Sequence, residues 1–220
     1  GRGEPITDSA IVISSMVDAV MLRLSSHEDI IEFSKHSSKP VINALSDESH
    51  PCQILADLMT YQEMNGSIKN KKIAWIGDGC NVCQTYMQAA GIFDFELSIA
   101  TPKGYEPSEL FIENYKKNIN FYSDPLMACE NADIIVTDVW TSMGQESEKK
   151  QRELAFTGFQ VDQNMMNQAK KDAIFMHCLP AYREKEVSSE VIDGNQSVVW
   201  SEAENRLHVQ KSLLLYLIEN

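Results

Sequence analysis

No long apolar run occurs in these 220 residues. The longest, between Ser212 and Ile218, falls far short of the about 20 residues that cross a bilayer. The opening Gly1-Arg2-Gly3-Glu4-Pro5 lacks the basic-then-apolar pattern of a signal peptide, so no secretory signal is expected there. Ten glycines and seven prolines are too few for a fibrous or low-complexity polypeptide. Basic residues are also scarce. Against 32 Asp+Glu stand 19 Lys+Arg, a formal net charge of −13, which argues against binding a nucleic-acid backbone. A small anion remains within reach of a few well-placed arginines. Cysteines stand at 52, 80, 83, 129 and 178, and only Cys80-Asn81-Val82-Cys83 forms a close pair. No second Cys or His pair completes a zinc site, and the odd count fits reduced thiols in a cytoplasmic protein. With 43% hydrophobic residues, the chain can bury one large core or two smaller ones.

The apolar runs have a rhythm. A first helix is expected over 9–19, then a strand over 19–23. Ser26-His27-Glu28-Asp29 has the Ser-x-x-acid form of a capping box opening a helix to about Lys35, and 40–45 reads as a strand. Ser49-His50-Pro51-Cys52-Gln53 starts a long helix, with Pro51 in the first helical position and Gly66 as the stop. From Lys72 onward, apolar runs at 73–76, 97–100, 119–122, 134–137, 174–176 and 198–200 alternate with helical patterns at 80–90, 107–117 and 162–170. A closing helix over 202–218 offers Leu207, Leu213, Leu214 and Leu217 for burial. This alternation predicts a doubly wound, mostly parallel α/β sheet covered on both faces. The expected divisions are an α/β portion at 1–48, a linking helix at 49–66, a larger α/β domain at 67–201 and a C-terminal helix at 202–220.

Ligands of such sheets bind beyond the carboxyl ends of the strands. Gly77-Asp78-Gly79 follows a strand there, but Val82 stands where a dinucleotide fingerprint needs its third glycine, and Ile99-Ala100-Thr101 offers no acid for a ribose. Asn81 could present its amide to a carboxylate at a helix start. His50 and Gln53 open another helix, where donors suit an anion or a polarised carbonyl; an ordinary capping histidine is the plainer alternative. Arg23 ends a strand and could face an anion or simply solvent. Asp138 ends a strand and could hold an ammonium, with Ser142 adding a hydroxyl. Cys178 ends another strand as nucleophile, proton acceptor or inert filler. Its neighbour His177 is expected to point the opposite way, and Arg206 could equally be paired with nearby acids.

These pieces recur together in one order. His50-Pro51-Cys52-Gln53, Gly77-Asp78-Gly79-Cys80-Asn81-Val82, Asp138-Val139-Trp140-Thr141-Ser142-Met143-Gly144, His177-Cys178-Leu179-Pro180 and Glu202-Ala203-Glu204-Asn205-Arg206 resemble the ornithine carbamoyltransferases from one end of the chain to the other. The resemblance implies carbamoyl transfer from carbamoyl phosphate to the δ-amine of ornithine, without metal or organic cofactor, by a homotrimer or a multiple of trimers. It implies that Arg23, His50, Gln53, Cys178, the Leu179 backbone and Arg206 contact carbamoyl phosphate. Asn81, Asp138, Ser142 and Met143 would hold ornithine, and Cys178, Asp138, His50 and Arg23 would carry the chemistry. The family's Ser-Thr-Arg-Thr phosphate loop does not occur in these residues, so the chain is expected to be the C-terminal part of such an enzyme, with the loop upstream and its own turnover in doubt. Two rival functions are a non-catalytic amino-acid-binding paralogue and a nucleotide-binding oxidoreductase.

Overall fold

The computed structural model describes residues 3–141 and 146–219. A small layer comes first: α1 (Ile6–Ser14), β1 (Val20–Arg23), α2 (His27–His36) and β2 (Val41–Leu45), with β1 and β2 parallel. The Ser26 side chain caps α2 by accepting from the Asp29 amide at 3.1 Å. Helix α1 starts and ends earlier than the expected 9–19, because Pro5 supplies its N-cap and its last turn closes at Ser15. The linking helix α3 (Pro51–Asn65) has His50 at its N-cap and Pro51 in its first turn, where a missing N–H costs nothing.

The larger sheet contains β3 (Lys72–Ile76), β4 (Glu96–Ala100), β5 (Ile119–Tyr122), β6 (Ile134–Thr137) and β7 (Ile174–His177). All pair in parallel in the order β5-β4-β3-β6-β7. Interleaved helices are α4 (Asn81–Phe93), α5 (Glu109–Asn114), α6 (Pro125–Cys129), α7 (Lys149–Ala155), α8 (Gln163–Gln168) and α9 (Ser189–Ile192), before α10 (Val199–Glu219) closes the chain. Period-2 alternation divides the core. Ile73, Trp75, Leu97, Ile99, Ile134, Val136 and Met176 pack on the face that carries α3 and α4. Ala74, Ile76, Ala100, Ile135 and Phe175 face α6, α8 and α9. Both faces are buried, so the strands read as continuous apolar runs.

Two expectations fail. Residues 198–200 are not a strand: Val199 and Trp200 form the first turn of α10, and Ser197 makes only an isolated bridge to Phe175. Val198 and Val199 are buried because this helix start docks against the sheet edge, a burial that a three-residue apolar run cannot assign to strand or helix. Leu207 is 68% exposed, whereas Leu213, Leu214 and Leu217 are half-buried. The buried stripe of α10 is instead Val199, Glu202 and Asn205, two of them polar.

Candidate active site

Strand order reverses between β3 and β6, so the carboxyl ends of β3, β6 and β7 meet at the switch point where such sheets bind ligands. Asp138 follows β6 and is 8% exposed. Its Oδ1 accepts from the Val139 amide at 2.7 Å and from the Cys178 thiol at 3.1 Å. The Cys80 thiol donates to its Oδ2 at 3.7 Å. Burial, then the Asp138 charge, pushes the Cys178 thiol well above its ordinary range; Cys80 moves the same way for the same reasons. Cys178 is therefore held as a neutral thiol that donates to a carboxylate. A resting thiolate nucleophile or proton acceptor does not fit this environment.

His177 is fully buried. Its Nδ1 accepts from the Leu179 amide at 2.9 Å, which leaves the ring proton on Nε2, 3.3 Å from Glu186. The donor atoms of Asp138, His177 and Cys178 lie within 4.8 Å of one another, yet both nitrogens of the imidazole are engaged by protein groups. Leu179 leaves the strand with φ 53°, and its amide is taken by His177, so only its carbonyl remains for a ligand.

Across the cleft, His50 is 8% exposed and its backbone amide donates to Thr85 Oγ1 at 2.8 Å. Its Nδ1 has no partner among the described residues. Burial, reinforced by the Arg206 and Arg23 charges, lowers its pKa to about 4, so the ring is neutral at pH 7. Gln53 is buried, and its Oε1 accepts from Arg206 Nη1. Arg23 is exposed at the end of β1, close enough to act electrostatically on His50. Asn81 opens α4, and one N–H of its amide donates to the Ser46 carbonyl at 2.7 Å, which leaves the second N–H for a ligand. Ser142 and Met143 lie outside the described residues.

The glycine loop has a packing role. A Cβ on Gly79 would stand 2.2 Å from the Pro107 nitrogen, and the Gly79 amide donates to the Tyr105 carbonyl at 2.8 Å. The loop after β4 thus crosses where a pyrophosphate would have to approach, which removes the oxidoreductase reading. Sequence reasoning missed Cys80 as a neighbour of Asp138. It also missed Arg152, buried at 3.0 Å from Asp78 and hydrogen-bonded to the Trp140 carbonyl just after Asp138. Spacing gave no sign of either contact, since both span unrelated segments.

The fold and the strand-end cleft together define an α/β protein whose candidate site lies at the switch point of a parallel sheet. The model for "Aspartate/ornithine carbamoyltransferase, Asp/Orn binding domain" matches residues 69–217, and that for the carbamoyl-P binding domain matches residues 1–63. The chain belongs to the aspartate/ornithine carbamoyltransferase family. Within it, the ornithine carbamoyltransferase of Ruthia magnifica is 64% identical over 218 residues, covering 99% of this chain and 73% of that protein. That of Hydrogenovibrio crunogenus is 54% identical, with 99% and 72% covered. The solved ornithine carbamoyltransferase of Pyrococcus furiosus superposes with a TM-score of 0.93 at 46% identity, covering 100% of this chain and 72% of that one. The match of a carbamoyl-phosphate domain to residues 1–63 lends no support to the expectation that the phosphate loop is missing.

Proposed function

We propose that this chain transfers the carbamoyl group of carbamoyl phosphate to the δ-amine of L-ornithine, giving L-citrulline and phosphate. The observation that carries the proposal is the Asp138–Cys178 contact at 3.1 Å on neighbouring strand ends, in a chain more than half identical to named ornithine carbamoyltransferases. The attacking amine must be neutral, although its reference pKa is near ~10. Asp138 pairs with ornithine nitrogen and steers the departing proton, while Cys178 keeps its own proton and orients the carboxylate. The new C–N bond forms at the carbamoyl carbon, the C–O bond to phosphate then breaks, and phosphate departs with the electron pair of that bond and the proton given up by the amine. His50, neutral at pH 7, donates one N–H to the carbonyl oxygen as it gains charge, an oxyanion-type role. Arg23, Gln53, Arg206 and the Leu179 carbonyl line the carbamoyl-phosphate side; Asn81, Ser142 and Met143 complete the ornithine side.

On this reading, residues 1–48 belong to the carbamoyl-phosphate domain, 49–66 link the domains, 67–201 bind ornithine and 202–220 close the molecule. Among the described residues no helix is long and apolar enough to cross a membrane. A cytoplasmic homotrimer is the form proposed. The test is product formation by the full-length enzyme with ornithine, aspartate or N-acetylornithine as acceptor at saturating carbamoyl phosphate. Citrulline from ornithine alone is expected. Equal use of aspartate or N-acetylornithine, or no citrulline at all, would overturn the assignment.

A further inference from the structure

Two carboxyl groups with no substrate role are buried behind the cleft. Asp57 on α3 is 2% exposed and Glu202 on α10 is 1% exposed, and their side chains hydrogen-bond to each other. Gln53 Nε2 donates to Asp57 Oδ1 at 2.8 Å and to Glu202 Oε1 at 3.0 Å. Tyr86 Oη donates to Asp57 Oδ2 at 2.6 Å, and the His177 amide donates to Glu202 Oε2 at 2.9 Å.

Two adjacent buried carboxyls do not both ionise, so one proton lies between them. Burial raises both: Asp57 to about 6, and Glu202 well above the usual carboxylate range. Glu202 is then the acid, and Asp57 the anion that accepts from Tyr86, Gln53 and Glu202. Its charge is offset by Arg206. With Nε2 held by both carboxyls, Gln53 can offer only its oxygen to Arg206, a residue that can only donate. The same Glu202 fixes the backbone one residue before Cys178.

We propose that Asp57 and Glu202 share one proton and act as a positioning pair, aiming Gln53 and Arg206 at the carbamoyl-phosphate side while pinning the His177–Cys178 strand end on the ornithine side. The inference rests on the substrate sides assigned above. Neither residue touches substrate. A carboxyl pair kept only for stability would be a poor choice, since apolar residues of similar volume usually do as well or better in such a place.

The pair's surroundings decide its pH behaviour. Facing it are Tyr86 from α4, Gln53 from α3, Arg206 from α10, His177 from β7 and Cys178 just after that strand. As pH falls through about 6, the pair takes up its second proton and holds Gln53 less firmly, so Arg206 is less well aimed. Carbamoyl-phosphate binding should then weaken.

The test compares Glu202→Leu and Glu202→Gln in the full-length enzyme. Glu202→Leu strands the His177 amide and one bond of Gln53, and should raise KM for carbamoyl phosphate about tenfold, the scale of a lost hydrogen bond to a charged group. The KM for ornithine should also rise, by less, because the strand end that carries Cys178 loses its pin. Glu202→Gln can still donate to Asp57 and accept from a neighbour, so it should recover most of that loss. Its neutral amide stands where the protonated Glu202 stood, so the acid limb of the carbamoyl-phosphate KM profile should stay near that of the wild type. Infrared spectra of the wild type should contain a protonated-carboxyl stretch that Glu202→Gln lacks. That band is read without substrate, so it separates failure of this pair from failure of the assigned reaction. If Glu202→Leu does not fold, the infrared band of Glu202→Gln decides. A band unchanged in Glu202→Gln, or a lowered Tm with both KM values unchanged in Glu202→Leu, would overturn the proposal.

Discussion

Replacing Asp138 with asparagine separates the ammonium-binding role of this residue from a structural one. The amide has the carboxylate's shape, and its oxygen can still accept from the Val139 amide and the Cys178 thiol, which lie 2.7 and 3.1 Å from Oδ1. The new NH2 would face Cys80, whose sulfur lies 3.7 Å from Oδ2 and is a weak acceptor, so the fold should persist. What disappears is the negative charge. A hydrogen bond to a charged partner contributes about 1.5–3 kcal/mol, and about 1.4 kcal/mol is tenfold in affinity, so ornithine binding should weaken roughly tenfold to a hundredfold. Carbamoyl phosphate, held by other residues, should change less than about threefold. Calorimetric titration of each substrate into the full-length enzyme reads both values. The same variant removes a charge that holds both thiols up, so iodoacetamide should alkylate Cys178 faster than in the wild type at pH 7. Equal weakening of both substrates, with alkylation unchanged, would make Asp138 a loop-holding residue and refute the role given to it.

Cys178→Ser should shift melting by only a few degrees yet lower kcat about tenfold to a thousandfold, the range of a positioned hydrogen-bonding or proton-steering group; an unchanged kcat would return it to the packing residues. Arg152→Met leaves Asp78 buried without its partner and should cost about 3–5 kcal/mol, read by denaturant titration. Asp78 is already raised to about 6 by burial, and losing Arg152 raises it further. A raised carboxyl loses stability as pH climbs to its folded pKa, so the deficit should be larger at pH 8 than at pH 6. His50 works in the opposite sense. Its folded pKa of about 4 lies below the ordinary 6.5, so its contribution to stability falls as pH drops through that window, by up to about 3 kcal/mol at about 1.4 kcal/mol per unit. His50→Gln should therefore lose less stability than the wild type between pH 7 and pH 4.5 in thermal melts.

The sheet was legible because its strands are covered on both faces. Runs such as Ile73 to Ile76 and Ile134 to Thr137 contain no solvent-facing register to break the apolar signal. Short helices escaped notice: α6 and α9 span five and four residues, too few to display a 3.6-residue period. Asp138 and Cys178 could be singled out because a strand-end position is visible in sequence. Their hydrogen bond to each other was not visible, because parallel pairing of β6 and β7 brings together residues 40 apart. Asp57 and Glu202 left a local trace, standing four residues after Gln53 and four before Arg206 on their helices. Their meeting depends on α3 packing against α10, which no pattern within either helix encodes. The amide of Leu179 shows the reverse problem: its commitment to His177 follows from a left-handed turn at a non-glycine residue, which residue type does not foretell.

The most direct test is a crystal structure of the full-length enzyme with L-ornithine and a phosphonate analogue of carbamoyl phosphate bound together. The ornithine nitrogen should lie within hydrogen-bonding distance of Asp138, and the analogue's carbonyl oxygen should meet His50, with its phosphonate near Arg23, Gln53 and Arg206. Ornithine seated away from Asp138 and Cys178, or an analogue that leaves His50 and Arg206 untouched, would contradict the assignment of the two sides of the cleft.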